Sequence, residues 1–235
     1  MFHALRLSKL FLCLLACLTL FAAPAAASKN DWTDKAYDFH KINTAVVYDI
    51  DLSQAKPDSD IVSRNLQELF QKKAERMHLV QLTPEQASRK ISLKLYKDLD
   101  ALQKTAPDEA AALFNDNLKS VADIYIKASL DEYSVGGYVV PAHTEWRDRQ
   151  ESYTWTDRDG HSHTDTRTIS YPEYVPEHYV STVTVKVRCD AYDAATGKAI
   201  FSREESRTRD SEDNPHDVYE RIISSFFGDI NDKTH

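Results

Sequence analysis

The chain has 235 residues, of which 42% are hydrophobic and 28% charged; that is enough apolar material to close one substantial core, and it excludes a disordered chain. Thirty-seven acidic residues against 29 basic ones give a net charge of −8, a balance that argues against nucleic acid or anionic lipid as partners.

The first residues read as a secretory signal peptide. Arg6 and Lys9 form a positive start, Leu10 to Ala23 is apolar, and Ala25-Ala26-Ala27 is a small-residue cleavage site. The expectation is export, to the periplasm or beyond, with cleavage after Ala27. A second reading takes Leu14-Leu15-Ala16-Cys17 as a lipobox, which would anchor the protein to a membrane through lipidated Cys17. The apolar run is short for a membrane span, and no comparable stretch follows, so no transmembrane span is expected after cleavage. Losing Arg6 and Lys9 takes the net charge from −8 to −10 and leaves Cys189 as the one cysteine. A lone cysteine makes no internal disulfide, so a packed core has to hold the fold.

Residues 28–41 are read as a lead-in. Thr44 to Leu52 is β-branched and apolar and predicts a strand with Val46, Tyr48, Ile50 and Leu52 on one face. A helix to about Arg76 follows, with Val62, Leu66, Leu69, Phe70, Ala74 and Met77 at three- and four-residue spacing. His78 to Leu82 is a short strand. Thr83-Pro84-Glu85-Gln86 starts the next helix with a capping box, and Ala87, Ile91, Leu95, Leu99 and Leu102 continue it. Pro107 opens another helix.

From Ile124 the period becomes two, as in a half-buried strand, and Gly136-Gly137 allows a bend. Residues 144–179 are polar, aromatic and poor in aliphatics, with a turn signal at Asp157-Arg158-Asp159-Gly160; they predict a long exposed hairpin. Val180 to Tyr192 is the clearest strand, with Val183, Val185, Val187 and Cys189 on its inner face. A turn at Asp193 to Gly197 reverses it into Ala199 to Arg207, and Asp217 to Phe227 closes as a helix. The fold class is therefore α/β (α+β), a single mixed β-sheet packed with helices in the order β-α-β-α-α-β-hairpin-β-β-α. One domain is expected over 42–228, with a tail at 229–235.

This order resembles a broad group of bacterial envelope domains. The group includes the amino-terminal domain of TolB, the curli secretion lipoprotein CsgG, the penicillin-binding-protein activator LpoB and uncharacterised secreted lipoproteins. The matching stretches are INTAVVYDIDL, VADIYIKASLDEY and VTVKVRCDAYDAATGKAIFSREES, the last around a D-x-x-T-G-K turn. The resemblance implies a domain that binds other envelope proteins and carries no catalytic site.

Two clusters could carry function. Trp146, Arg147, Tyr153, Trp155, Tyr171 and Tyr174 crowd into the hairpin, and Trp, Tyr and Arg dominate protein-interface hot spots. The alternative for them is a hairpin held by its own cross-strand pairs. His161, His163 and Asp165 alternate on a strand and could hold a metal if a further ligand converged; the plainer reading is a polar hairpin tip. The chain has no G-x-S-x-G elbow, H-E-x-x-H, P-loop or G-x-G-x-x-G. The leading expectation is a non-enzymatic exported protein that binds an envelope protein or cell-wall component through the aromatic hairpin, without a cofactor. The alternative is a periplasmic metal-binding protein, and a hydrolase built from scattered carboxylates stands third.

Overall fold

The computed structural model describes residues 27–210 and 214–235. The expected signal peptide, residues 1–27, lies outside the described residues except for Ala27, which begins the first strand, and Cys17 with its expected lipidation lies outside them. The described residues divide into two compact units, one made of residues 27–136, 182–210 and 214–235, the other of Gly137–Ser181.

The first unit is built on a six-stranded mixed sheet in the order β1-β8-β7-β4-β2-β3. Its strands are β1 (Ala27–Thr33), β2 (Thr44–Val47), β3 (Val80–Leu82), β4 (Ile124–Val140), β7 (His178–Asp193) and β8 (Ala199–Asp210). β2 pairs in parallel with β3 and β4, and β8 is antiparallel to both β1 and β7. The helices are α1 (Asp60–Ala74), α2 (Pro84–Leu95), α3 (Leu99–Thr105), α4 (Pro107–Asn117) and α5 (Pro215–Thr234). The expected class, one mixed sheet packed with helices, holds.

The main core lies between one sheet face and the apolar stripes of α1 and α5. Leu66, Phe70 and Ala74 from α1 and Val218, Ile222, Ile223 and Phe226 from α5 meet Val183, Val185, Val187 and Cys189 from β7. The Tyr219 hydroxyl donates to the Leu66 carbonyl at 3.2 Å, so this buried phenol keeps a partner. A smaller cluster on the other face joins Val46, Leu82, Ala87, Leu118 and Ala122 under α2 and α4.

Several elements depart from expectation for identifiable reasons. The first strand does not keep one phase to Leu52. Val47 stands opposite Ile126 and Asp51 opposite Ser129, four steps against three, so one extra residue bulges the chain. The bulge turns Ile50 into the main core, away from Val46 and Tyr48. Gln67 of α1 accepts the Ile50 N–H at 3.0 Å, and Gln67 and Gln71 donate to Asp49. The single helix expected through Leu102 is two, α2 and α3. Tyr96 ends α2 with φ +53°, and Asp98 caps α3 by accepting from the Ala101 N–H at 3.0 Å. The lead-in contains β1, whose Asp31 holds the Arg203 guanidinium, 1% exposed, through Nε at 2.6 Å and Nη2 at 2.8 Å. The expected C-terminal tail is helical to Thr234, because Ile230 extends the buried stripe of α5 by one turn.

Cys189 is buried, and burial pushes its thiol well above the ordinary range. The turn after β7 closes with Gly197 at φ +68°, a left-handed conformation suited to glycine. Among the described residues, no helix is long and apolar enough to cross a membrane.

Candidate binding hairpin

The second unit centres on β5 (His143–Thr156) and β6 (Ser162–Val175), an antiparallel two-stranded ribbon paired from His143–Val175 to Thr156–Ser162. Pro172 sits opposite Trp146 within it. A two-stranded ribbon leaves one edge of each strand open, so a residue without a ladder donor is tolerated there. Gly136 and Gly137, expected at a bend, both lie within β4. Gly137 makes room for the Tyr179 ring, which a Cβ at that position would strike.

GHSHTD is the descending side of the ribbon's tip. The tip is organised by Asp157, whose Oδ1 accepts the N–H groups of Asp159 at 3.0 Å and His161 at 2.8 Å. Gly160 takes φ +86° to complete the turn. Asp157 Oδ2 lies 2.9 Å from His163 Nε2 and 3.5 Å from His161 Nδ1. Its bond to His163, then that from the His161 backbone, holds its carboxyl below the usual range. Asp165 is turned elsewhere and accepts the Trp155 indole N–H at 2.7 Å. The two histidines thus gather on Asp157 rather than on Asp165. Among the described residues, no group of three or more His, Cys, Asp or Glu side chains is placed to hold a metal ion.

Strand alternation sorts the six aromatic and arginine residues onto two faces. Arg147, Tyr153, Trp155 and Tyr171 share one face with Arg149, Glu151, His163, Asp165, Arg167 and Glu173, as the register requires. Trp155 stacks on His163 with centroids 4.7 Å apart, Arg149 lies over Tyr171 at 5.9 Å, and Arg167 over Tyr153 at 5.6 Å. Arg147 Nε is 2.5 Å from Glu173, and Glu151 takes Arg149 and, at 3.5 Å, Arg167. The Arg149 bond depresses the Glu151 carboxyl. This face is a ladder of mutually engaged side chains.

The opposite face is different. It carries a run of Thr and Ser, with Trp146 and Tyr174 at diagonal positions next to Pro172. Trp146 is 72% exposed and Tyr174 68%, against 40–44% for Tyr153, Trp155 and Tyr171. Exposed aromatic surface at neighbouring positions, without engagement by its own strand, is the kind that an interface covers. At the base of the ribbon, His143 bonds the Pro141 carbonyl at 3.0 Å and Glu145 at 3.0 Å. The first of these and then the second raise its imidazole above the ordinary value.

Among the described residues, the carboxyls of Asp31, Glu145, Glu151, Asp157 and Glu220 lie below the ordinary range. Each is held by a neighbouring cation or N–H group, which favours the charged form.

No protein-family model matches the chain, and no curated protein matches it. Two solved structures of the PelC dodecamer from Paraburkholderia phytofirmans are similar at 12% identity. One covers 88% of this chain and 98% of that chain with a TM-score of 0.43. The other, a point variant, covers 88% and 99% with a TM-score of 0.44. At that level the likeness carries no argument about this chain.

Sequence reasoning placed the aromatic residues in a hairpin and missed how they divide. The signal was present in the numbering: Trp146 and Tyr174 are even, and the other four are odd. In this ribbon even residues pair with even ones, so parity alone assigns the face once the register is known.

Proposed function

We propose that the protein is an exported, non-enzymatic component of a bacterial envelope that binds a partner protein or cell-wall component through the 143–175 hairpin. The observation that carries this reading is the pair Trp146 and Tyr174, the most exposed of the hairpin's six aromatic and arginine candidates that are aromatic. The ladder on the other face stiffens the ribbon, so these two rings are presented at low entropic cost. The signal-like start of the chain and the resemblance to envelope-binding domains agree with it. The metal-binding alternative gains nothing from Asp165, which is committed to Trp155.

The test is capture from the protein's own cell envelope. Trp146→Ala with Tyr174→Ala should abolish most capture and leave the melting temperature nearly unchanged. Trp155→Ala with Tyr153→Ala should weaken capture less and loosen the ribbon more. Undiminished capture by the first double variant would remove the hairpin's even face from the function.

A further inference from the structure

The main core covers one face of the six-stranded sheet, whereas the smaller cluster on the other face gathers residues of β2, β3 and β4 and of the turn after β7. The part of that second face built by β1, β8 and β7 carries side chains in two ranks. Asn30, Glu204 and Arg188 stand side by side in one rank, and Trp32, Ser202 and Asp190 in the next. Strand alternation points all six away from Arg203 and Cys189, which face the core. Trp32 is 52% exposed, and Arg188 is exposed as well. Ser202 is the smallest of the six and stands between Trp32 and Asp190, whose strands lie about 9.6 Å apart. The six residues line a depression of about 350 Å³.

The charges around it are matched. Glu204 takes Lys186 at 2.6 Å and Arg188 at 3.6 Å, and Asp190 accepts the Ser202 hydroxyl. Asp31, on the same rim, is turned to Arg203. Two carboxylates, Asp190 and Glu204, thus face two cations, Lys186 and Arg188. What the depression offers is not net charge but donors and acceptors set side by side, next to one open indole face.

We propose that this depression binds a neutral saccharide, with one all-equatorial pyranose ring stacked on Trp32 and its neighbouring hydroxyls held by Asn30, Arg188, Asp190 and Glu204. Three features select that chemistry. A balanced set of charges gives no advantage to a charged ligand. Adjacent donors and acceptors match adjacent hydroxyls, each of which both donates and accepts. The C–H face of an all-equatorial pyranose is flat and apolar, and its hydrogens suit the negative face of an indole. A peptide would instead pair its backbone along the open edge of β1 and leave the two ranks unused. The volume is at the small end for a ligand site, so one or two rings of a longer chain would occupy it. All six residues belong to the first unit, so the site stands apart from the hairpin.

The experiment uses the whole protein with Trp146→Phe and Trp155→Phe, which leaves Trp32 as the single tryptophan. Titration with cellotetraose or chitotetraose should change the Trp32 fluorescence and saturate with a Kd of about 1 mM or tighter. The two sugars share the flat ring face and differ in the acetamido group, so the tighter one identifies the sugar class. Sorbitol, which has hydroxyls but no ring, should give no change. Affinity should vary by less than about twofold between roughly 0.1 M and 1 M salt, because a neutral ligand has no charge to screen. In calorimetry on the otherwise unaltered chain, Trp32→Ala should lower the affinity about tenfold, and Trp32→Phe should restore most of the loss. Asp190→Asn should lower it about tenfold; it keeps the shape of the side chain and an acceptor for Ser202, so the melting curve should not move. No saturable response to either sugar, an equal response to sorbitol, a steep loss with salt, binding without a Trp32 response, or affinity unchanged in both Trp32→Ala and Asp190→Asn would overturn the proposal.

Discussion

β7 with β8 and β5 with β6 are both long antiparallel pairs with alternating side chains, yet they are held by different forces. On β7, Val183, Val185, Val187 and Cys189 are at most 2% exposed. On β5 and β6 no residue is buried. The first pair is therefore stabilised mainly by removing apolar area from water, which scales with area and does not depend on the screening of charges. The second depends on cross-strand ion pairs, cation–π contacts and one indole–carboxylate bond, each worth a fraction of a kcal/mol to about 1 kcal/mol. The same backbone geometry can serve as scaffold or as display, and the side-chain pattern decides which.

The largest contrast should come from truncating one aromatic residue in each region. Phe70 is fully buried and tilted against Phe227 at 5.1 Å, so Phe70→Ala should cost about 3–5 kcal/mol in chemical denaturation. Trp155→Ala removes a comparable ring from the ribbon and should cost less than about 1 kcal/mol. Similar costs at the two sites would mean that the hairpin rings belong to a core.

A smaller effect should follow at the β1 edge. Asp31 accepts two hydrogen bonds from Arg203, which also donates to Asp229 and Ser225. Asp31→Ala should cost about 1–2 kcal/mol, the lower end reflecting solvent on the carboxylate's open side. The Arg203 bond holds the Asp31 carboxyl below its ordinary value of 3.8. A depressed carboxylate stabilises fully above its unfolded value, and that contribution is lost as pH falls through the folded one. Acid unfolding should thus begin below about pH 4, and Asp31→Asn should flatten that part of the stability profile.

What the sequence made legible and what it hid follow the same division. The β7 valines, the capping box of α2 and the apolar stripes of α1 and α5 are local periodic signals, and each element lies where its period indicated. β1 was hidden because its residues, ASKNDWT, have no apolar alternation; it is a strand because β8 offers an edge and Arg203 a charge. The Ile50 bulge was hidden because its hydrogen-bond partner, Gln67, lies on another element. In the ribbon, the aromatic density was visible, but the split between the Trp146–Tyr174 face and the laddered face needed the register.

The smallest effect is at the base of the ribbon. His143 is raised by the Pro141 carbonyl and by Glu145, so its contribution is present below the ordinary histidine value and lost as pH rises through the folded one. Nuclear magnetic resonance titration should show His143 losing its proton at higher pH than a free imidazole, and Glu145→Gln should lower that midpoint.

The most direct measurement replaces His143–Val175 with a short Gly-Ser turn and follows folding and partner capture in the same preparation. A cooperative melt only modestly below that of the intact protein, with capture lost, is the predicted result. An unfolded product, or a folded one that captures the same partners, would contradict the division of this chain into a scaffold and a display.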